Sequence, residues 1–118
     1  MKWPKRIWRR RTKGWRMPAG AVYVGRGSKY GNPFHRLAVG GTISPRLAGW
    51  CFALWARHEA HPEFVALFWP RRIPQFPPWT RAELRRDLGG RDLACWCPLD
   101  QPCHAEVLLE LANQGAER

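Results

Sequence analysis

The chain has 118 residues, of which 45% are apolar, and this length and composition allow one globular domain with its own core. Lysine and arginine number 20 against 9 acidic residues, and the resulting net charge of +11 favours polyanionic partners, of which nucleic acid is the commonest. No apolar run approaches a membrane span and no apolar segment follows the basic N-terminus, so we expect neither a membrane protein nor a secreted one.

Residues 1–17 form a basic arm that contains three tryptophans, and residues 18–118 are expected to form the domain on which it packs. Cations contact phosphates and aromatic rings stack on bases, so the arm is a candidate nucleic-acid contact. The alternative is a flexible tail that aids solubility. The cations that we assign to ligand contact are Arg10, Arg11 and Lys13; the tryptophans are Trp3, Trp8 and Trp15.

A short apolar strand is predicted over Ala21–Val24, and a glycine-rich loop follows it over residues 25–42. Glycines let backbone N–H groups converge, and the neighbouring polar side chains add donors and charge, which is the chemistry of an anion-binding nest. The glycine spacing fits neither a P-loop nor a dinucleotide fingerprint. The alternative is a tight structural loop closed by Asn32-Pro33. The predicted ligand-binding residues are Gly25, Arg26, Gly27, Ser28, Lys29, Gly31 and Asn32.

The middle of the chain carries helix signals. Ser44 before Pro45 predicts a helix start, and apolar residues at helical spacing extend that helix to about Glu59. A second short helix is predicted from Pro62. Four prolines over residues 70–78 indicate an extended linker. A capping box then starts a third helix that stops at a glycine pair; the residues are Thr80, Glu83, Gly89 and Gly90.

Asp92–Cys97 is predicted as the second strand and Ala105–Asn113 as the last helix. Strands that alternate with helices point to a small α/β fold, a short sheet covered by helices with Rossmann-like layering. Two strands make a poor sheet, so we expect a third strand in residues 35–43 or 70–76. An α+β arrangement is the alternative.

Three thiols and an imidazole lie within ten residues, at Cys95, Cys97, Cys103 and His104. One interpretation is a zinc site made by all four side chains, although the spacing differs from that of zinc fingers. A second is a reactive thiol at Cys103 assisted by His104, because the start of a helix favours a thiolate. The third is that the cysteines are small core residues. With three cysteines crowded together and no export signal, a reducing cytoplasmic location is expected.

These blocks resemble the family catalogued as domain of unknown function 4326, found in phages and bacteria. The likeness covers nearly the whole chain, and the blocks that carry it are Arg9–Pro18, Val22–Phe34 and Gly90–Asn113 with its Ala-Cys-Trp-Cys-Pro-Leu-Asp-Gln-Pro-Cys-His segment. The resemblance implies that the basic arm belongs to the domain. It also implies that the glycine loop and the cysteine cluster form one site.

The leading functional hypothesis is a small cytoplasmic domain that binds a phosphate-bearing ligand, either nucleic acid or a nucleotide. In α/β folds, ligands gather where strands end and helices begin, and both predicted blocks lie at such positions. One alternative is an enzyme that acts on nucleotides or nucleosides through Cys103 and His104. Another is a zinc-stabilised interaction module of a phage type. No membrane partner is expected.

Overall fold

A three-stranded parallel sheet organises the molecule. The computed structural model describes residues 3–34, 43–97, 99 and 103–114. In chain order the elements are β1 (Arg6–Trp8), β2 (Val22–Tyr23), α1 (Pro45–Ala56), α2 (Pro62–Phe68), α3 (Arg81–Leu88), β3 (Leu93–Cys95) and α4 (His104–Asn113).

The last strand in the sequence is the central strand of the sheet, whose order is β1-β3-β2. Both neighbours run parallel to β3, with Ile7 and Tyr23 each opposite Ala94. All three residues of β3 are buried, as expected for a strand with neighbours on both sides in a parallel sheet. The parallel strands β2 and β3 are joined through α1, α2 and α3, which confirms the prediction of an α/β fold with helices packed on a short sheet.

The third strand lies where the sequence did not predict it. It is β1, inside the basic arm. Leu93 N of β3 donates a hydrogen bond to Lys5 O at 3.0 Å, and Arg9 N donates one to Cys95 O at 2.8 Å. Residues 70–76 form no strand. The other predicted range was 35–43, and its residues 35–42 lie outside the described part of the chain. A strand of three residues is too short to show alternation, which explains why the sequence did not predict β1.

Local capping signals place the helices. The Ser44 side chain accepts a hydrogen bond from Leu47 N and starts α1, as predicted. The helix ends at Ala56 rather than near Glu59, because His58 takes a left-handed backbone conformation with a φ of 60°.

The other two predicted starts are also confirmed. α2 begins at Pro62, and α3 follows Thr80, whose hydroxyl accepts a hydrogen bond from Glu83 N. The two later predicted elements are close to those observed, since β3 is shorter than the predicted strand and α4 begins one residue before the predicted helix.

Helix α4 lies at the centre of the packing and contacts β1, β3, α1 and α3. Its Leu108 and Leu111 are buried in the core cluster that also contains Leu84 and Leu88 of α3. A second group of core side chains is aromatic: the Phe34 ring lies 4.7 Å from Trp69 and 5.7 Å from Trp55, between ring centroids. Burial of these large apolar surfaces supplies most of the folding free energy.

None of the helices in the described residues is both long enough and apolar enough to cross a membrane.

A buried tyrosine joins the glycine loop to α3. The Tyr30 hydroxyl donates a 2.5 Å hydrogen bond to Asp87 Oδ2, and its ring packs on Trp79. Burial, together with this bond to a carboxylate, raises the pKa of Tyr30 far above its usual value near 10. A hydrogen bond from Arg86, followed by the bond from Tyr30, lowers the pKa of Asp87 to about 2.

We expect this tyrosine to make the protein less stable at alkaline pH. Because its pKa is higher in the folded state, ionisation of Tyr30 in the unfolded chain reduces the free energy of unfolding as the pH rises above about 10. Tyr30→Phe removes this ionisation and should flatten the decline. Urea unfolding of both proteins at neutral pH and at about pH 11 measures the difference. Parallel declines in the two proteins would contradict the assignment.

Candidate functional site

The three strands end at the same edge of the sheet, and the chain opens a crevice there. Arg9 follows β1, Val24 follows β2 and Trp96 follows β3, while α1 and α4 both begin beside this edge. The crevice has a volume of about 540 Å³. Its lining comes from all the segments that leave the sheet here, together with the first turns of α1 and α4: Arg11, Tyr23, Gly25, Arg26, Asn32, Phe34, Pro45, Ala48, Gly49, Cys95, Trp96, Cys97, Cys103 and His104.

Hydrogen bonds within the loop hold the glycine segment in a compact turn. The Gly25 carbonyl accepts from both the Ser28 N–H at 3.1 Å and the Ser28 hydroxyl at 2.6 Å. Gly31 N then donates to Ser28 O. A Cβ on Gly31 would lie 2.6 Å from Gly25 O, so this position requires glycine for close backbone approach. The Ser28 donors and the Gly31 N–H are therefore used inside the loop.

Asn32 attaches the loop to α1. Its amide nitrogen donates to Ala48 O at 3.1 Å, and its amide oxygen accepts from Phe34 N at 2.9 Å. Both ends of the side chain are thus engaged, and Asn32 contributes to the crevice wall in this fixed orientation.

Lys29 points away from the crevice, toward α3. Its ammonium lies 3.0 Å from Glu83 and 3.7 Å from Asp87, where the three side chains form an ion-pair group. Of the predicted anion-loop residues, the crevice is lined by Gly25, Arg26 and Asn32. Gly27, Ser28, Lys29 and Gly31 are not among its lining residues.

Arginines and aromatic rings alternate along the rim. The Arg9 guanidinium lies 4.8 Å from the centroid of the Tyr23 ring and 4.9 Å from that of Trp96. Arg11 lies 4.8 Å from the Trp96 centroid. Arg10 lies 4.5 Å from the Trp8 centroid. A shallower pocket beside the crevice is lined by Trp8, Trp96 and the arginines near them. We call Trp8, Arg9, Arg10, Arg11 and Trp96 the arginine–tryptophan track.

Lys13, the remaining cation predicted to contact the ligand, is exposed in the turn after this track.

Three of the four cysteines converge at the end of β3 and the start of α4. The sulfur atoms of Cys95, Cys97 and Cys103 all lie within 4.8 Å of one another, and Cys95 and Cys103 are 3.0 Å apart. This group could hold a metal ion. Cys51, the fourth cysteine, is buried in the core on α1.

Hydrogen bonding shifts the thiol pKa values in opposite directions. The pKa of Cys97 is lowered, chiefly because Cys103 and then Cys95 donate to its sulfur, with a further contribution from the charge of Arg6. The pKa of Cys95 is raised, because its bonds to Cys103 and Cys97 favour its protonated form.

His104 connects this cluster to β2. Its Nε2 is hydrogen-bonded to the carbonyl oxygen of Val24, and its Nδ1 lies 3.5 Å from Cys103 Sγ. A carbonyl only accepts, so Nε2 carries the hydrogen, and the neutral imidazole then presents the lone pair of Nδ1 toward the thiol. The group of mutually close ligand atoms consists of the three sulfurs, and His104 Nδ1 is not part of it.

Sequence reasoning missed Arg6 and Arg9 as parts of the site. The Arg6 side chain is 5% exposed, donates a 2.6 Å hydrogen bond to Leu99 O and lies 3.5 Å from Glu106, so it ties Leu99 to β1 and α4. No local pattern marks one arginine of a basic arm as buried. Trp96 was missed as well, although it lies between Cys95 and Cys97 in the sequence, and all three residues line the crevice.

No curated protein and no solved structure matches this chain. A family model does match, over residues 7–114, and that range includes β1, the glycine loop and the cysteine cluster. The chain therefore belongs to the family described as a domain of unknown function, DUF4326.

Proposed function

We propose that this protein binds a phosphate-bearing ligand, a nucleotide or a nucleic acid, in the crevice at the carboxyl edge of its sheet. The observation that carries the proposal is the charge of the crevice wall. Arg11 and Arg26 line it, and no carboxylate of the described part of the chain does. Arginine presents a planar set of donors that matches phosphate geometry.

The position of the crevice supports the same proposal. Ligands of parallel α/β sheets bind beyond the carboxyl ends of the strands, where loops diverge and helices begin. The walls combine apolar and aromatic side chains such as Tyr23 and Phe34 with a few polar groups, which is typical of small-molecule sites. The net charge of +11 adds long-range attraction for a polyanion.

We expect binding to a fluorescent single-stranded oligonucleotide to weaken steeply with salt, because phosphate contacts release counterions. Arg11→Ala should lower affinity severalfold and reduce the slope of log affinity against log salt by about one. Arg91→Ala is the matched control, because Arg91 is exposed and precedes β3 at the opposite end of the sheet. Fluorescence anisotropy at several salt concentrations gives both quantities.

Equal losses in the Arg11 and Arg91 variants would show attraction to net charge alone and would contradict a site at the crevice. Absence of binding to both oligonucleotides and nucleotides at low salt would contradict the proposed function.

The convergent thiols favour a second role, zinc binding by Cys95, Cys97, Cys103 and His104. Thiolate and imidazole are preferred zinc ligands, and a ligating histidine usually donates its other ring N–H to a carbonyl or carboxylate. His104 makes this kind of bond to Val24 O, which leaves Nδ1 as the ligating atom. We favour this role over nucleophilic chemistry at Cys103, since a nucleophile would need one thiol and here three converge. The metal content of the purified protein tests it.

A further inference from the structure

We propose that the ligand is single-stranded nucleic acid, with one nucleotide seated in the crevice and the adjoining nucleotides lying along the arginine–tryptophan track. This inference rests on the proposed function and adds the form of the ligand and its path across the surface.

The crevice and the shallower pocket beside it are continuous. Arg11 and Trp96 line both the crevice and the shallower pocket beside it, so they form a shared wall. The shallower pocket then extends to Trp8 and Arg10. A ligand confined to the crevice would leave this second surface unused, whereas a chain of nucleotides would cover both.

The size of the crevice suits one nucleotide. The crevice, at about 540 Å³, lies within the range of roughly 300–1,000 Å³ for pockets that hold one small ligand. It therefore has room for a nucleotide and not for a duplex. Neighbouring nucleotides of a bound strand must leave it over the rim, where the track begins.

The track combines phosphate donors with stacking surfaces. Its arginines lie within 4.9 Å of the Trp8 and Trp96 ring centroids, and each guanidinium carries five N–H donors that can reach phosphate oxygens. Trp8 and Trp96 are 36% and 37% exposed, so part of each indole remains accessible to a base. Alternating stacking surfaces and phosphate donors are what a flexible single strand requires, and bases paired inside a duplex cannot use them.

The test compares thymidine monophosphate, an oligothymidylate and an oligouridylate of about ten nucleotides, and the same oligothymidylate in a duplex. We expect both single strands to bind at least tenfold more tightly than the monophosphate and the duplex at one salt concentration. Trp8→Ala should weaken oligonucleotide binding by roughly fivefold to a hundredfold, the loss of one base–aromatic stack, and leave monophosphate binding unchanged. Arg26→Ala should weaken both.

Trp50→Ala is the matched control, because Trp50 is 51% exposed on α1 and contacts Phe64 outside both pockets. A single strand that binds no better than the monophosphate, or equal effects of Trp8→Ala and Trp50→Ala, would overturn the inference and leave the proposed function standing. Tighter binding to the duplex would also overturn it. Failure of every probe to bind would overturn both proposals.

Discussion

Purified protein is expected to carry about one zinc ion per chain, and removal of that ion by a chelator is expected to lower the melting temperature sharply. Zinc held by Cys95, Cys97, Cys103 and His104 would tie the end of β3 to the start of α4. Because the ligands come together only in the folded state, the free energy of metal binding adds to folding stability. In zinc-finger peptides that energy is about 10–16 kcal/mol, so the expected effect is several kcal/mol even after partial compensation.

Substitutions should separate the zinc site from ordinary core packing. Cys103→Ser is expected to lose both metal and stability. Cys51→Ala is the control, since Cys51 is a buried core cysteine on α1, and it should keep the metal while losing a modest amount of stability. Elemental analysis and thermal unfolding with and without chelator provide the measurements.

Two outcomes would contradict zinc binding. One is folded, reduced protein that contains no metal and takes up none from solution. The other is a melting temperature that the chelator leaves unchanged. Rapid alkylation of Cys103 in such metal-free protein would instead favour the reactive thiol, with His104 Nδ1 at 3.5 Å as its proton acceptor.

Phe34→Ala is expected to reduce the free energy of unfolding by about 3–5 kcal/mol, the usual cost of deleting a buried phenylalanine ring. The Phe34 side chain is 1% exposed and packs edge-on against Trp55 and Trp69. The total free energy of unfolding of a small domain is only about 5–15 kcal/mol, so the variant should be marginally stable. The same ring lines the crevice, and its loss should also weaken ligand binding.

Two variants calibrate this effect. Phe34→Leu keeps most of the buried volume and should cost much less than alanine. Phe76→Ala removes a ring that is 45% exposed and stacks on His58, so it should also have a small effect. Urea unfolding followed by tryptophan fluorescence measures all three. A cost for Phe34→Ala no larger than that for Phe76→Ala would show that the aromatic cluster is not a stabilising core.

The crowding of cysteines in the sequence was enough to predict a candidate cluster, with zinc, a reactive thiol and core packing as its three interpretations. Cys95 and Cys97 are two residues apart, and Cys103 occupies the N-cap position of α4 without a side-chain capping bond. In the structure the three sulfurs lie within 4.8 Å of one another. What spacing could not provide is the partner of His104, since Val24 lies eighty residues away in sequence.

The predicted anion loop shows the opposite case. Its glycines do form a tight turn, but the destinations of its side chains depend on distant elements. Lys29 reaches the acidic residues of α3, and Asn32 bonds the backbone of α1. Of the loop's cations, Arg26 does line the crevice, where it is joined by Arg11 of the arm. A pattern of residue types cannot distinguish a cation that faces a ligand from one that faces a carboxylate of the same fold.

The sequence by itself determined the α/β class and the starts of the helices. These features follow from bonds and steric contacts between residues near in the chain, such as the hydroxyl of Ser44 or Thr80 on the N–H three residues later. The tertiary structure alone decided that Arg6–Trp8 is a strand, that β3 lies between the other two, and that Arg9 lies between Tyr23 and Trp96. Such pairings depend on hydrogen bonds and ring contacts between remote segments, which leave no periodic signal in strands of two or three residues.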